Sequence, residues 1–314
     1  MLTYHALCQV PAIFPALAGL TREEFDRLVA DFTAARQRLR AASQQTKRGT
    51  PRQRAAGAGA PPAHDPPTRL LIALVWLRIY PTYELLGWLF GLEKSNAWEA
   101  VQDALAVLET QADFPFERPA ADRKRLATKQ AVIDAFPRVA VIIDGKEQPF
   151  RRPRGWERQK PFYSGKKKRH TVKNQIVCRP DGRIGSVSET VPGSTHDLTV
   201  LRGDGLLERL VADEGAMGDK AYTGAQEDRA GPLVVVPTKA TRGHPLTEEQ
   251  RAANGVIGRC RVVIEHVMAQ LNRFQVLKQV FRGVFERHTR VIRVVAALVD
   301  RRIAAVPLKS YAGT

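Results

Sequence analysis

The sequence predicts an α/β chain in which a small all-α domain precedes a mixed sheet flanked by helices. Two observations indicate this order. Residues 68–112 contain three short helical patterns separated by Pro and Gly. From residue 138 onward, short β-branched runs alternate with helical segments in the order three strands, helix, strand, strand, helix. A chain of 314 residues with 44 % hydrophobic residues can bury a core of this kind.

The first part of the chain consists of a helical segment and a linker. Residues 1–42 include a helix over 21–43, with Thr21 and Glu24 spaced as a capping box. Residues 43–67 are rich in Pro, Gly, Ala and basic side chains, and this composition is typical of a flexible linker. We therefore expect the compact part of this region to resume near residue 68.

Residues 68–112 have the pattern of a helix-turn-helix DNA-binding domain. The expected helices are 69–79, 83–90 after the cap Thr82, and 96–108 after the cap Ser95, with Gly91 in the tight turn. A plain three-helix packing element is the alternative. The high positive charge of the chain favours DNA binding, whereas the third helix itself carries little positive charge, which weakens the case for base recognition.

The α/β domain is expected over residues 138–306. Its apolar runs and turn signals predict strands at 139–143, 171–178, 183–191, 216–217 and 233–236. Helices are expected at 196–211, 247–274 and 291–305. The second and third strands are joined by a turn at Pro180–Asp181–Gly182, and the helix that follows Thr247 has Gln250 in capping-box position.

Charge and cysteine content limit the class of partner. Formal net charge is +17, from 49 Lys and Arg against 32 Asp and Glu, and such a surface attracts polyanions through phosphate contacts. The three cysteines lie far apart, as expected of a reducing cytosol and not of a disulfide framework or zinc site. No apolar run is long enough to span a membrane and no leader pattern is present, so we expect a cytoplasmic protein.

Acidic side chains stand at the ends of strands in this basic chain. Asp144 directly follows the first strand, Asp219 follows the fourth, and Glu265 lies with Arg261 on a narrow polar stripe of the 247–274 helix. Strand ends and an adjoining helix meet at one sheet edge, so the three carboxylates are expected to gather there. Mg²⁺ would relieve their repulsion, and a pair of ions would support phosphoryl transfer.

Two of these assignments have plain structural alternatives. Glu265 and Arg261 are four residues apart, which is also the spacing of an ordinary surface ion pair on a helix. Asp197, in PGSTHDLTVLR, is a fourth candidate metal ligand, and it stands equally well as a helix cap or as an acid near a helix N-terminus.

A strongly basic insert separates the first two strands. Residues 151–170 hold nine Lys or Arg against one Glu, interleaved with Trp156, Phe162 and Tyr163. Phosphate contacts and base stacking suit this composition. The DNA contacts that we expect are Arg151, Arg152, Arg154, Lys160, Lys166, Lys167, Lys168, Arg169 and His170, joined by Arg261 and Arg273 from the late helical segment.

Five motifs in order resemble the DDE transposases of the bacterial IS5 type and the related Harbinger-like nucleases. They are VIIDGKEQPF, YSGKKKRHTVKNQIV, PGSTHDLTVL, GDKAYTG and RVVIEHVMAQLNRF, and the resemblance that they carry extends over most of residues 138–300. The resemblance implies an RNase H-like fold, with Asp144, Asp219 and Glu265 as the catalytic acids and Asp197 as the alternative second acid. In the related IS4 group, a Tyr and a Lys flank the last Arg and Glu, but Gly258 and Asn272 occupy those positions here.

The implied activity is metal-dependent cleavage of transposon ends, followed by joining of the freed 3′-hydroxyl to target DNA. The acids would hold two Mg²⁺ or Mn²⁺ ions and would not act as nucleophiles. The implied partners are the terminal inverted repeats, the target DNA and further copies of the chain, near the bacterial nucleoid. The alternatives are a catalytically inactive DNA-binding protein derived from a transposase and a stand-alone RNase H-like metal nuclease.

Overall fold

The computed structural model describes residues 1–46, 63–112, 114, 134–211, 214–225 and 233–306. These residues divide into two compact units. The first unit is Met1–Asp113 with Arg273–Val276, and the second is Phe114–Asn272 with Leu277–Thr314. Most of the predicted linker lies outside the described residues. None of the described helices is long and apolar enough to cross a membrane.

The first unit is helical throughout its described part. Its helices are α1 Tyr4–Cys8, α2 Phe14–Leu17, α3 Arg22–Thr46, α4 Pro66–Ile79, α5 Tyr83–Phe90 and α6 Lys94–Glu109. Aromatic rings fill its core, where Phe25 packs on Tyr4 and Phe14 with ring centroids 5.4 and 5.3 Å apart. Three helices in sequence are thus present over 66–109, and their assignment as a helix-turn-helix domain remains a prediction.

Local hydrogen bonds explain where these helices begin and end. The capping box is present, because the backbone N–H of Glu24 donates to Thr21 Oγ1 and Glu24 Oε2 accepts from the Thr21 N–H. Gly91 ends α5 in the left-handed conformation, with φ 68°. The prediction that Ser95 caps the third helix is wrong. The backbone is still extended at Glu93 and helical from Lys94, so Ser95 already lies inside the first turn.

The second unit is a mixed sheet with helices on both faces. In its described part the strands are β1 Val139–Pro149, β2 Tyr163–Ser164, β3 Arg169–Cys178, β4 Ile184–Val187, β5 Val191–Pro192, β6 Gly215–Met217 and β7 Leu233–Val235. The order is β2-β3-β1-β6-β7, with β4 and β5 also paired to β3. β1 is antiparallel to β3 and parallel to β6. This arrangement is compatible with an RNase H-like domain.

Its helices differ in part from the predicted ones. They are α7 Trp156–Gln159, α8 Asp197–Gly203, α9 Leu206–Arg209, α10 Glu248–Leu271 and α11 His288–Ala305. The single helix expected over 196–211 is interrupted at Gly205, which has φ 64°. The third strand expected over 183–191 is likewise two strands, β4 and β5. The capping box of Thr247 and Gln250 at the start of α10 is confirmed.

The two faces of β1 contact different helices. Val141 and Ile143 belong to an apolar cluster with Leu201 of α8 and Leu206 of α9. The even-numbered positions of β1 face α10 and α11. Lys146 Nζ donates to Asn272 Oδ1 at the end of α10, and Gln148 bonds to His288 at the start of α11. The cysteines are free, as expected.

Candidate active site

The candidate site lies along the part of β1 that β6 does not cover. β6 pairs with β1 only as far as Ile142, which lies opposite Met217. β1 itself continues to Pro149 because β3 pairs with it as far as Thr171. The prediction that the strand ends just before Asp144 is therefore wrong. Asp144 lies within β1, just after the last residue that pairs with β6. From this point that edge of β1 is no longer covered by β6, and acids from neighbouring segments can approach it.

Asp144 is a half-buried acid of this edge. Burial raises the pKa of the Asp144 carboxyl; Arg261 opposes this shift, whereas the negative charges of Asp219 and Asp197 add to it. The guanidinium of Arg261 on α10 has Nη2 3.8 Å from Asp144 Oδ2. The carboxylates of three separate segments thus act on one another here, with a single arginine compensating part of their charge.

Asp197 reaches the same edge from the opposite face of the sheet. It is the first residue of α8, where His196 takes the N-cap position, so the alternative of Asp197 as an N-cap does not hold. Gly145 permits its approach, because a Cβ on Gly145 would lie 2.6 Å from Asp197 Oδ1. Lys173 of β3 places its ammonium 3.0 Å from the same oxygen, while its hydrogen bond goes to the Thr195 carbonyl at 2.6 Å.

Asp219 lies two residues after β6 and caps a short 3-10 turn. Its Oδ1 accepts from the backbone N–H of Ala221 at 2.8 Å. Tyr222 ends this turn and is fully buried. Burial raises the pKa of the Tyr222 hydroxyl, and the charges of Asp197, Asp144 and Asp219 raise it further. The charges of all three aspartates thus act on this phenol, which belongs to the GDKAYTG motif.

Glu265 is exposed on α10. Arg261, one turn earlier, pairs with Asp144. Asp197 and Asp219 thus lie near enough to Asp144 for their charges to raise the pKa of its carboxyl, whereas Glu265 lies on the exposed side of a neighbouring helix. Within the described ranges, no three His, Cys, Asp or Glu side chains are arranged so that they could hold a metal ion.

The donor chemistry nevertheless fits a divalent cation. Asp197 Oδ1 and the Tyr222 hydroxyl are buried polar atoms that make no hydrogen bond in the described part of the chain, although Lys173 forms an ion pair with Asp197 Oδ1 at 3.0 Å. Carboxylate oxygens are the ligands that Mg²⁺ prefers, and the mutual effect of the acids on the pKa of Asp144 is of the kind that such an ion relieves.

Comparison with known proteins identifies the family. A model of DDE superfamily endonucleases, DDE_Tnp_4, matches residues 143–300, which is half of the chain. The chain belongs to the DDE superfamily endonucleases. It is also 25 % identical over 240 residues, 75 % of this chain and 80 % of the other, to a protein of Microchaete diplosiphon named "Probable transposase for insertion sequence element IS702". No solved structure matches the chain significantly.

The family resemblance inferred from the five motifs is therefore confirmed, and its IS5-type assignment is compatible with these matches. All three aspartates lie inside the matched range, as does Glu265. The basic insert lies there as well. Its cationic side chains Arg151, Arg152, Arg154, Lys160, Lys166, Lys167, Lys168 and Arg169 are exposed, and His170 is half-buried.

The aromatic residues of the insert of this DDE endonuclease differ in exposure. Trp156 and Tyr163 are exposed at 71 % and 46 %, whereas Phe162 packs on Phe150 and Phe285 with ring centroids 5.2 and 5.3 Å apart. Only the first two rings are therefore available to stack on bases. Arg273, expected on the late helix, lies beyond the end of α10 and belongs to the first unit.

Two buried lysines near the site were missed in the sequence. Lys173 and Lys146 are 9 % and 8 % exposed. Lys173 pairs with Asp197, and burial lowers the pKa of Lys146 to about 8. A lysine inside a strand of otherwise buried residues, as in HTVKNQIV, was the available signal, because a buried lysine requires a partner.

Proposed function

We propose that this DDE endonuclease is the DNA transposase of a bacterial insertion sequence of the IS5 type. It cleaves the ends of its element and joins the resulting 3′-hydroxyl to target DNA. The observation that supports the proposal is the effect of Asp219 and Asp197 on Asp144 at the open edge of β1, where their negative charges raise the pKa of the Asp144 carboxyl. The transposase name of the relative supports the same activity.

Divalent metals are general in this family, and the aspartates are the side chains that would hold them. We assign Asp144 and Asp219 as the principal ligands, Asp197 as the additional or alternative one, and Glu265 as the acid of α10. When bound, Mg²⁺ or Mn²⁺ supplies charge stabilisation for an in-line displacement at phosphorus. We propose that two ions act.

Two cationic side chains of the protein compensate the charges of these acids. Arg261 offsets the charge of Asp144, and Lys173 offsets that of Asp197, so the carboxylates can be buried before DNA and metal arrive. A divalent cation would take over this compensating role. Arg261 would then be free to bind a phosphate, and the exposed lysines of the turn at Lys166–Lys168 would hold the DNA backbone.

The remaining parts of the proposal concern the assembly. Joining two element ends to one target requires both ends in one complex, so we propose a homodimer or higher oligomer on DNA. The helices over 66–109 are proposed to recognise the terminal inverted repeats as a helix-turn-helix domain. A protein with these partners would act in the cytoplasm, on the nucleoid.

The test uses the purified chain, a labelled duplex carrying its own element's end and a supercoiled target plasmid, with and without Mg²⁺ or Mn²⁺. We expect metal-dependent cleavage and a joined product. Asp144→Asn, Asp219→Asn and Glu265→Gln should abolish both while leaving end binding intact, and Asp197→Asn shows whether that acid is essential. Glu286→Gln, an exposed acid outside the site, is the matched control. Parallel loss of end binding in the acid variants would refute the assignment.

One observation favours the alternative of a catalytically inactive DNA-binding protein. Asp144 and Asp197 are paired with cations, and Glu265 does not join the aspartates in a cluster able to hold a metal within the described residues. End binding without cleavage in either metal would establish that alternative. Cleavage without any joined product would instead indicate a stand-alone nuclease.

A further inference from the structure

The hydroxyl of Tyr222 is a buried polar group to which the proposed function gives no role. The residue is fully buried, and its hydroxyl makes no hydrogen bond within the described residues. A buried hydroxyl without a partner destabilises the folded state, because the hydrogen bonds that it makes with water in the unfolded chain are not replaced. Phenylalanine would fill the same space without this cost. The hydroxyl is therefore a donor in search of an acceptor close to the site.

Tyr222 packs beside segments that carry all three aspartates. A Cβ on Gly218 would lie 2.6 Å from Cδ2 of the Tyr222 ring, so the ring lies directly against this part of the backbone. Ile143 belongs to the same apolar cluster as Tyr222, and Leu198 packs against that cluster. Gly218, Ile143 and Leu198 each adjoin one of the three aspartates in the sequence. The ring thus connects the backbone segments from which the acids project.

Asp197 is the acid that matches this donor. Its Oδ1 is buried and accepts no hydrogen bond in the described part of the chain, although the ammonium of Lys173 lies 3.0 Å away. The carboxylates of Asp144 and Asp219 each accept a hydrogen bond from a nearby backbone N–H. Of the three acidic charges that raise the pKa of the Tyr222 hydroxyl, that of Asp197 has the largest effect. A donor and an acceptor without hydrogen bonds therefore act on each other here.

We propose that Tyr222 is a positioning residue of the metal site, whose hydroxyl donates a hydrogen bond to the Asp197 carboxylate once a divalent cation has displaced Lys173. The inference rests on the proposed function for the presence of the cation. A phenol satisfies the carboxylate without adding a positive charge that would repel the cation, which an ammonium cannot do. The hydrogen bond also fixes the orientation of the carboxylate, as the outer partners of metal ligands commonly do.

The first test is a calorimetric titration of Mn²⁺ into the full chain without DNA. Tyr222→Phe keeps the ring and removes only the hydroxyl, and we expect the affinity for Mn²⁺ to fall about tenfold. Tyr4→Phe is the matched control, because it removes a phenol hydroxyl that donates to Asp26 in the first unit, and it should leave the affinity unchanged. Equal affinities of the parent and Tyr222→Phe would overturn the inference.

A second test needs no metal. In EDTA, Lys173→Gln removes the ammonium from Asp197, so the Tyr222 hydroxyl should then donate to this carboxylate. Tyr222→Phe should therefore lower the urea midpoint of unfolding in the Lys173→Gln background but not in the parent. A merely structural role of the hydroxyl predicts the same loss in both backgrounds, and that result would contradict the inference.

Tyr4→Phe is again the control in this second test. Its hydroxyl already has an acceptor, Asp26 Oδ1 at 2.7 Å, so the variant should lower the midpoint equally in both backgrounds. The two tests separate the possible failures. A parent that binds no Mn²⁺ would contradict the proposed metal site, whereas the unfolding experiment in EDTA judges the hydrogen bond between Tyr222 and Asp197 independently of any metal.

Discussion

Replacing Lys173 with Gln tests whether the acids of the site depend on internal cations. Lys173 is 9 % exposed, and its ammonium lies 3.0 Å from Asp197 Oδ1. It also donates to the Thr195 carbonyl at 2.6 Å. Glutamine removes the charge and shortens the side chain, while it keeps a polar end. Asp197 would then face Asp144 and Asp219 without its compensating charge.

The expected loss of stability follows from the geometry of this pair. At 3.0 Å and an effective dielectric constant of about 20, the attraction is ~5 kcal/mol before desolvation is subtracted. Removing one partner of a fully buried pair costs about 3–5 kcal/mol. Because the Asp197 side chain is 21 % exposed, water screens part of the remaining charge. We expect the free energy of unfolding to fall by about 2–3 kcal/mol.

The assay is urea unfolding followed by circular dichroism, once in EDTA and once in saturating Mn²⁺. In EDTA, Lys173→Gln should show the full loss. In Mn²⁺ the loss should shrink, because a divalent cation at Asp197 replaces the missing ammonium and stabilises the folded state by mass action. Lys167→Gln, which removes a charge from the exposed turn, is the control and should change stability little.

Either of two results would contradict the proposed role of Lys173. A variant as stable as the parent in EDTA would mean that Asp197 does not rely on Lys173. A loss of equal size with and without Mn²⁺ would mean that the metal does not bind where the lysine acts.

Four further changes have defined outcomes. Gly145→Ala places a Cβ 2.6 Å from Asp197 Oδ1, so we expect a loss of ~1–3 kcal/mol and of strand cleavage, and normal cleavage would show that this close approach is dispensable. The pKa of Lys146 is lowered from 10.5 to about 8, so the parent should gain ~3 kcal/mol relative to Lys146→Met as pH rises from 8 to 10.5; a flat difference in unfolding free energy would contradict this. The pKa of His288 is lowered from 6.5 to about 3, so the unfolding free energy of the parent should fall by up to ~5 kcal/mol relative to that of His288→Gln as pH falls from 6.5 to 3. A difference that does not change with pH would show that the ring is charged when folded. Neutralising Lys166–Arg169 together should weaken DNA binding and flatten its salt dependence, and an unchanged salt slope would count against the basic insert as a DNA contact.

The sequence was most informative where local pattern decides structure. The apolar stripe of α10 is buried at Val263, Ile264, Val267 and Leu271, as its 3.6-residue period predicts. The capping boxes at Thr21 and Thr247 also depend on neighbouring residues alone, and both are present. Short-range hydrogen bonds and periodic burial depend on residues that lie close together in the sequence, so the sequence predicts them directly.

The misplaced end of β1 shows where local pattern fails. The apolar run stops at Ile143, but the strand continues because Lys146 and Gln148 have buried polar partners on late helices. Those partners, Asn272 and His288, are more than a hundred residues away in the chain. A polar residue in a strand looks like the end of the strand until its long-range partner is known.

The acids of the site could be predicted from the sequence, but the cations that pair with them could not. Asp144 and Asp219 follow strand patterns and belong to recognisable motifs. The pairs that join Asp144 to Arg261 and Asp197 to Lys173 depend on how a helix and a strand pack against β1. The i,i+4 spacing favoured a pair between Arg261 and Glu265, but the tertiary contact directs the guanidinium to Asp144 instead.

We propose that the aspartates at the open edge of β1 hold the catalytic metal. The location of Mn²⁺ by anomalous scattering, in a crystal of the protein soaked in millimolar Mn²⁺, tests this directly. We predict an ion coordinated by Asp144 and Asp219, with Lys173 and Arg261 withdrawn from their carboxylates. A crystal that retains both ion pairs and holds no Mn²⁺ at these acids would contradict the claim.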